Sequence, residues 1–128
     1  MAHGTPAKYE ELIRRIIAAT EAGRIKWKAG IHSDSFVTML KTGGIRIEKS
    51  EDDWRNDEGI PEHYDWYVMS ILDEDGVCGE RLSNAAHQFG SDCLDFPEDP
   101  LRDLFRCARA NAADVSGLVD SIMTELSS

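Results

Sequence analysis

At 128 residues, with 41% hydrophobic and 30% charged side chains, the chain has the size and balance of one globular domain (1–128), which excludes a disordered or fibrous protein. Its apolar runs are too short to span a bilayer and no apolar signal core opens it, so the expectation is a cytoplasmic protein with no membrane contact. A formal net charge of −10 argues against direct nucleic-acid binding, because a negative surface repels phosphates, and favours a basic protein partner.

Residues 5–23 predict an amphipathic helix. Thr5 is placed to cap it and Pro6 suits its first turn. Tyr9, Leu12, Ile13, Ile16, Ile17 and Thr20 form one apolar stripe, and Gly23 ends it. In 24–28 basic and apolar residues alternate, which tucks Ile25 and Trp27 inward and leaves the three bases in water. Strands are expected at 35–41 and 44–49, joined as a hairpin by Thr42-Gly43-Gly44, whose glycines can supply positive φ. Ile45 and Ile47 then face the core, with Arg46 and Glu48 outward. Residues 50–63 lack periodicity and hold Asn56, Gly59 and Pro61. They read as an acidic loop, long for a compact domain and hence functional or mobile.

A strand at 64–72 has apolar residues on both faces, which makes it central. Trp66 and Tyr67 fall on opposite faces of it. Asp73-Glu74-Asp75-Gly76 is a hairpin turn into a strand at 77–82. Residues 83–98 read as irregular, or as holding a short helix near 84–89. Asp99 and Pro100 open a helical region, 99–126, which is one kinked helix or two consecutive ones. The expected fold class is α+β: an antiparallel β-meander of three to four strands with the N-terminal and C-terminal helices packed on one face.

The charge is unevenly placed. Residues 1–47 carry a net +4, residues 48–75 a net −9 and residues 76–128 a net −5. The acidic stretch also holds Trp54, Tyr64, Trp66 and Tyr67. Aromatics amid acids suit a binding face better than a catalytic pocket.

No catalytic constellation stands out. His32, His63 and His87 are scattered and no Cys-x-x-Cys occurs, so no metal site and no cofactor are expected. Asp73-x-Asp75-Gly76 lacks the further ligands of a calcium loop. Glu51-Asp52-Asp53 reads as solvated acid rather than a fixed carboxylate pair. Cys93 follows His87 by six residues, with Asp92 and Asp95 near, but no nucleophile motif surrounds it. Cys78, Cys93 and Cys107 read as three reduced thiols.

Four junctions carry a resemblance: Thr20–Trp27 at the end of the first helix, the glycine-turned hairpin, Asp73–Gly76 closing a strand, and Leu101–Phe105 opening the C-terminal helix. On these the chain resembles a loose group of small bacterial and mobile-element α-β-β-β-α proteins. The resemblance implies a binding role in a phage, toxin–immunity or defence setting, and carries over no active-site residue.

The reading that follows is a small acidic non-enzymatic interaction module, an inhibitor, immunity protein or regulator. Asp52, Asp53, Trp54, Asp57, Glu58, Tyr64, Trp66 and Tyr67 would meet a partner with a basic surface. Two alternatives stand beside it. One is a nucleic-acid mimic that blocks a nucleic-acid-binding protein. The other is a ligand-binding or enzymatic domain with a sheet–helix pocket near His63, His87 or Cys93. The apolar surplus of 101–126 leaves a homodimer open.

Overall fold

The computed structural model describes residues 6–31, 34–55, 58–59, 61–86, 93–113 and 116–127. The first helix, α1 (Pro6–Glu21), forms on the expected stripe and buries Tyr9, Ile13, Ile16 and Thr20. Thr5, its expected cap, lies outside the described residues. Gly23 ends the helix with φ 79°, and the Arg24 amide donates back to the Ala19 carbonyl at 2.9 Å. That return bond needs a left-handed residue at the turn, which glycine adopts without strain.

Beyond the helix Ile25 and Trp27 are buried while Arg24, Lys26 and Lys28 are exposed, as the alternation requires. Trp27 is tied at both ends. Its indole N–H donates to Thr20 Oγ1 at 3.0 Å, and its amide donates to Asn111 Oδ1 at 2.7 Å.

The strands are β1 (Lys28–Ala29), β2 (Ser35–Met39), β3 (Gly43–Arg55), β4 (Pro61–Asp73), β5 (Cys78–Ser83) and β6 (Cys93–Asp95). They form one six-stranded sheet in sequence order. The expectation of three to four strands was therefore too low. Two short edge strands were missed, and the last pair, β5 with β6, is parallel rather than part of a meander. The stretch before β6 was expected to be irregular or to hold a short helix near 84–89. It makes a turn through Ala86, and 87–89 lie outside the described residues.

The larger correction concerns 50–63. It is not a loop: β3 and β4 are paired continuously from Gly43↔Asp73 to Arg55↔Pro61. Polar residues can occupy a strand pair that no other strand flanks, so alternation gave no signal there.

The hairpin glycines also act differently from the expectation. Neither Gly43 nor Gly44 has positive φ. A side chain on Gly43 would run into the Leu72 carbonyl, and one on Gly44 would lie 2.6 Å from the Thr38 carbonyl and against Met39. They are required by close approach, not by turn geometry. The second turn matches its motif: Gly76 has φ 83°, and the Asp73 carboxylate accepts from the amides of Asp75 and Val77, both at 2.9 Å.

The C-terminal region is two helices, α2 (Glu98–Ala112) and α3 (Ser116–Leu126). Asp99 does not cap α2, which begins at Glu98; its carboxylate instead accepts from Arg102 at 2.7 Å. Leu101, Leu104, Phe105 and Ala108 of α2 join Ile45, Ile47, Tyr67, Met69 and Leu82 of the sheet and Tyr9, Ile13 and Ile16 of α1 in one core. Among the described residues, α3 contributes nothing to that core, and its Val119, Ile122, Met123 and Leu126 are exposed. No helix among the described residues is long and apolar enough to cross a membrane.

Candidate functional site

The functional candidates divide between a projecting β-ribbon and the groove at its root. Strand β2 pairs with β3 only as far as Glu48, and β5 pairs with β4 only as far as Val68. Among the described residues, no further strand flanks 49–55 or 61–67. These seven-residue segments pair with each other alone, giving a two-stranded arm roughly 20 Å long at the usual strand rise. Its root is held from both sides. The Lys49 amide donates to the Asp34 carbonyl at 3.0 Å. Asn84 Oδ1 accepts from the Tyr67 amide at 2.8 Å, standing in for the strand that is missing there.

The arm concentrates the acidity. From Ser50 to Asp65 there are seven acids (Glu51, Asp52, Asp53, Asp57, Glu58, Glu62, Asp65) against one base, Arg55. Register sets Asp52 opposite Tyr64, Asp53 opposite His63, Trp54 opposite Glu62 and Glu51 opposite Asp65. Glu58 and Gly59 lie exposed at the tip, with Gly59 at φ 78°; Asp57 lies outside the described residues. Asp52, Asp53, Trp54 and Tyr64 are thus brought onto one hairpin, on two paired strands rather than in a loop.

Trp66 and Tyr67 separate, as expected for adjacent strand residues. Trp66 is half-buried on the sheet face away from α2. There it borders, with Arg46, Ser70 and Arg81, a shallow cavity of about 170 Å³. Tyr67 is 4% exposed and packs on Phe105, with ring centroids 5.6 Å apart. Its ring is closed to a partner. Only its hydroxyl reaches outward, into the groove beneath the arm.

That groove, about 250 Å³, is lined by Lys49, Asp65, Tyr67 and Phe105 together with Glu98, Arg102, Arg106 and Arg109 of α2. The three arginines recur at helical spacing on one side of α2. Arg102 is held by Glu98 at 2.9 Å and Asp99 at 2.7 Å. Lys49 lies 3.9 Å from Asp65. Arg106 and Arg109 are exposed and make no ion pair among the described residues. The Arg109 guanidinium sits 5.5 Å from the centre of the Phe105 ring. Burial raises the Tyr67 phenol above its ordinary value, so it is a neutral donor at pH 7. Sequence reasoning missed this groove. The i, i+4, i+7 spacing of Arg102, Arg106 and Arg109 was its only trace, and on a polar helix face that pattern reads as ordinary solvation.

The cysteines are free: Cys78 is exposed, Cys93 buried and Cys107 intermediate. Burial raises the Cys93 and Cys107 thiols, which disfavours a reactive thiolate at either. Among the described residues, no three His, Cys, Asp or Glu side chains gather as metal ligands would. The expected alternative pocket residue His87 lies outside the described residues, and Cys93 does not line the groove. Compared with family models, curated proteins and solved structures, the chain matches none.

Proposed function

We propose that this chain is a non-enzymatic interaction module of the cytoplasm whose acidic β-ribbon engages a basic surface on a protein partner. The observation that carries this reading is the ribbon itself: seven acids against one base on a strand pair flanked by no other strand among the described residues. Such an arm carries a concentrated negative charge away from the six-stranded part of the sheet. Its field would steer and orient encounter, while Trp54, Tyr64 and Trp66 supply contact area. An inhibitor, immunity or defence-related role agrees with this and with the resemblance noted above.

The test is quantitative capture from the native host with the wild-type chain and with a D52N/D53N/D57N/E58Q variant. The expected result is a basic protein retained by the wild type and weakened at least tenfold by the variant. Retention at equal strength would refute the electrostatic model.

The extended ribbon also favours a second reading, a nucleic-acid mimic, over what a single acidic loop would have allowed. Acids distributed along paired strands repeat at strand rise, nearer to a line of phosphates than a loop cluster is. Under this reading the captured partner is a nucleic-acid-binding protein, and added duplex DNA or RNA displaces the chain from it.

A further inference from the structure

An acidic chain that carries a concentrated basic groove invites a question about what the groove holds. Four cations line it, Lys49, Arg102, Arg106 and Arg109, against two carboxylates, Asp65 and Glu98. Both carboxylates already have cationic neighbours in Lys49 and Arg102. The local balance is therefore two positive charges in excess, carried at the surface by Arg106 and Arg109, which have no ion pair among the described residues.

The floor supplies a second, independent signal. Tyr67 is 4% exposed, yet its hydroxyl has no hydrogen-bond partner among the described residues. It lies within the field of Lys49, Asp65, Glu98 and Arg106, all of which line the same groove. A neutral hydroxyl at the edge of an otherwise buried ring, opening onto a basic groove, is placed to donate to an anion held there. Planar guanidinium forks beside a hydroxyl donor make a good cradle for a tetrahedral oxyanion. The groove is smaller than pockets that take drug-sized ligands, so the anion must be small.

We infer that this groove binds a phosphate dianion, free or as a small phosphate monoester, held by the Arg106 and Arg109 guanidiniums and the Tyr67 hydroxyl with Lys49 beside it. Two negative charges neutralise the groove's excess. The acidity of the rest of the chain does not prevent this, because exposed charges more than about 8 Å away are largely screened at physiological salt. The site lies at the root of the ribbon against α2, and its two arginine ligands come from α2 rather than from the acidic run.

The test is a titration of the full-length ¹⁵N-labelled chain, with inorganic phosphate in one arm and glycerol 2-phosphate in the other, at constant ionic strength set by chloride. The signals followed are the arginine side-chain Nε–H resonances and the Tyr67 amide. The expected result is saturable shifts at these positions. The R106Q/R109Q variant should raise the dissociation constant at least tenfold, and Tyr67→Phe should raise it about fivefold, the worth of one hydrogen bond. Both arginines are exposed, so their replacement leaves the core intact, and Tyr67→Phe keeps the ring on Phe105. Tighter binding of the monoester identifies a phosphorylated small molecule, and tighter binding of inorganic phosphate identifies the free ion. Shifts that never saturate, or saturation unchanged in R106Q/R109Q, would overturn the assignment.

Discussion

At the scale of single residues, Asn111 does more than its place near the end of a helix suggests. Its Oδ1 accepts from the Trp27 amide at 2.7 Å, its Nδ2 donates to the Ile25 carbonyl at 3.4 Å, and its own carbonyl accepts from Lys26 Nζ at 2.7 Å. One amide side chain thus fastens the segment after α1 to α2 and seats the fully buried Trp27 indole. Asn111→Ala leaves the part-buried Trp27 amide without its partner, which should cost about 1–3 kcal/mol in urea unfolding. Tyr67 gives a pH-dependent prediction. Burial, with the nearby Asp65 and Glu98 carboxylates adding to it, holds its phenol above the ordinary 10. The folded chain then keeps a proton that the unfolded chain has begun to release. Stability from this group is complete below pH 10 and is lost as pH rises through the folded value. The buried Cys93 and Cys107 thiols act in the same direction from 9 upward. Comparing unfolding at about pH 8 and about pH 10.5, Tyr67→Phe should lose less stability than the wild type, and the buried thiols contribute to the loss that remains.

At the scale of elements, what was legible in the sequence is what packs. The stripe of α1, the Asp73–Gly76 turn and the inward Ile45 and Ile47 could be read because burial selects the residue on every second or third-to-fourth position. The distal ribbon could not be read this way. No further strand among the described residues flanks it, so no second pairing imposed a pattern on 50–63, and Asn56, Gly59 and Pro61 made a hairpin tip look like the centre of a long loop. Strand β6 was missed for a different reason: three residues pairing in parallel across a nine-residue connection leave no local pattern. The groove lies at the seam of two elements, and no window along the chain contains both Tyr67 and Arg106. The ribbon's independence is itself testable. Replacing 51–65 by Asn-Gly closes a two-residue hairpin on the paired Ser50 and Trp66. The shortened chain should fold with a thermal midpoint within a few degrees of the wild type, because among the described residues the removed strands pair only with each other. In the intact chain, amides of 51–55 should exchange with deuterium well before those of 44–48, which lie between two strands. Gly44→Ala acts in the opposite way, inside the body. Its new methyl would lie 2.6 Å from the Thr38 carbonyl, and the cost should be about 1–3 kcal/mol.

At the scale of the whole molecule, charge sets the balance. A net charge of −10 on 128 residues opposes compactness through self-repulsion, and the ribbon holds most of it. Removing 51–65 takes away seven acids and one base, so the net charge becomes −4. Self-repulsion scales roughly as the square of net charge, which leaves about one-sixth of it in the shortened chain. Salt acts on two opposed terms. It screens this repulsion, which stabilises, and it weakens surface ion pairs such as Arg14–Glu11 and Arg15–Glu11, which destabilises. Those pairs are exposed and worth little each, so repulsion prevails. The wild-type thermal midpoint should therefore rise by a few degrees between about 10 and about 150 mM sodium chloride, and in the shortened chain the rise should be less than half as large. Equal rises in the two chains would mean that the body, rather than the ribbon, carries the destabilising field. A display of acid that lowers stability on strands paired only with each other is what a surface kept for a partner would look like, and the salt response measures that cost before the partner is in hand.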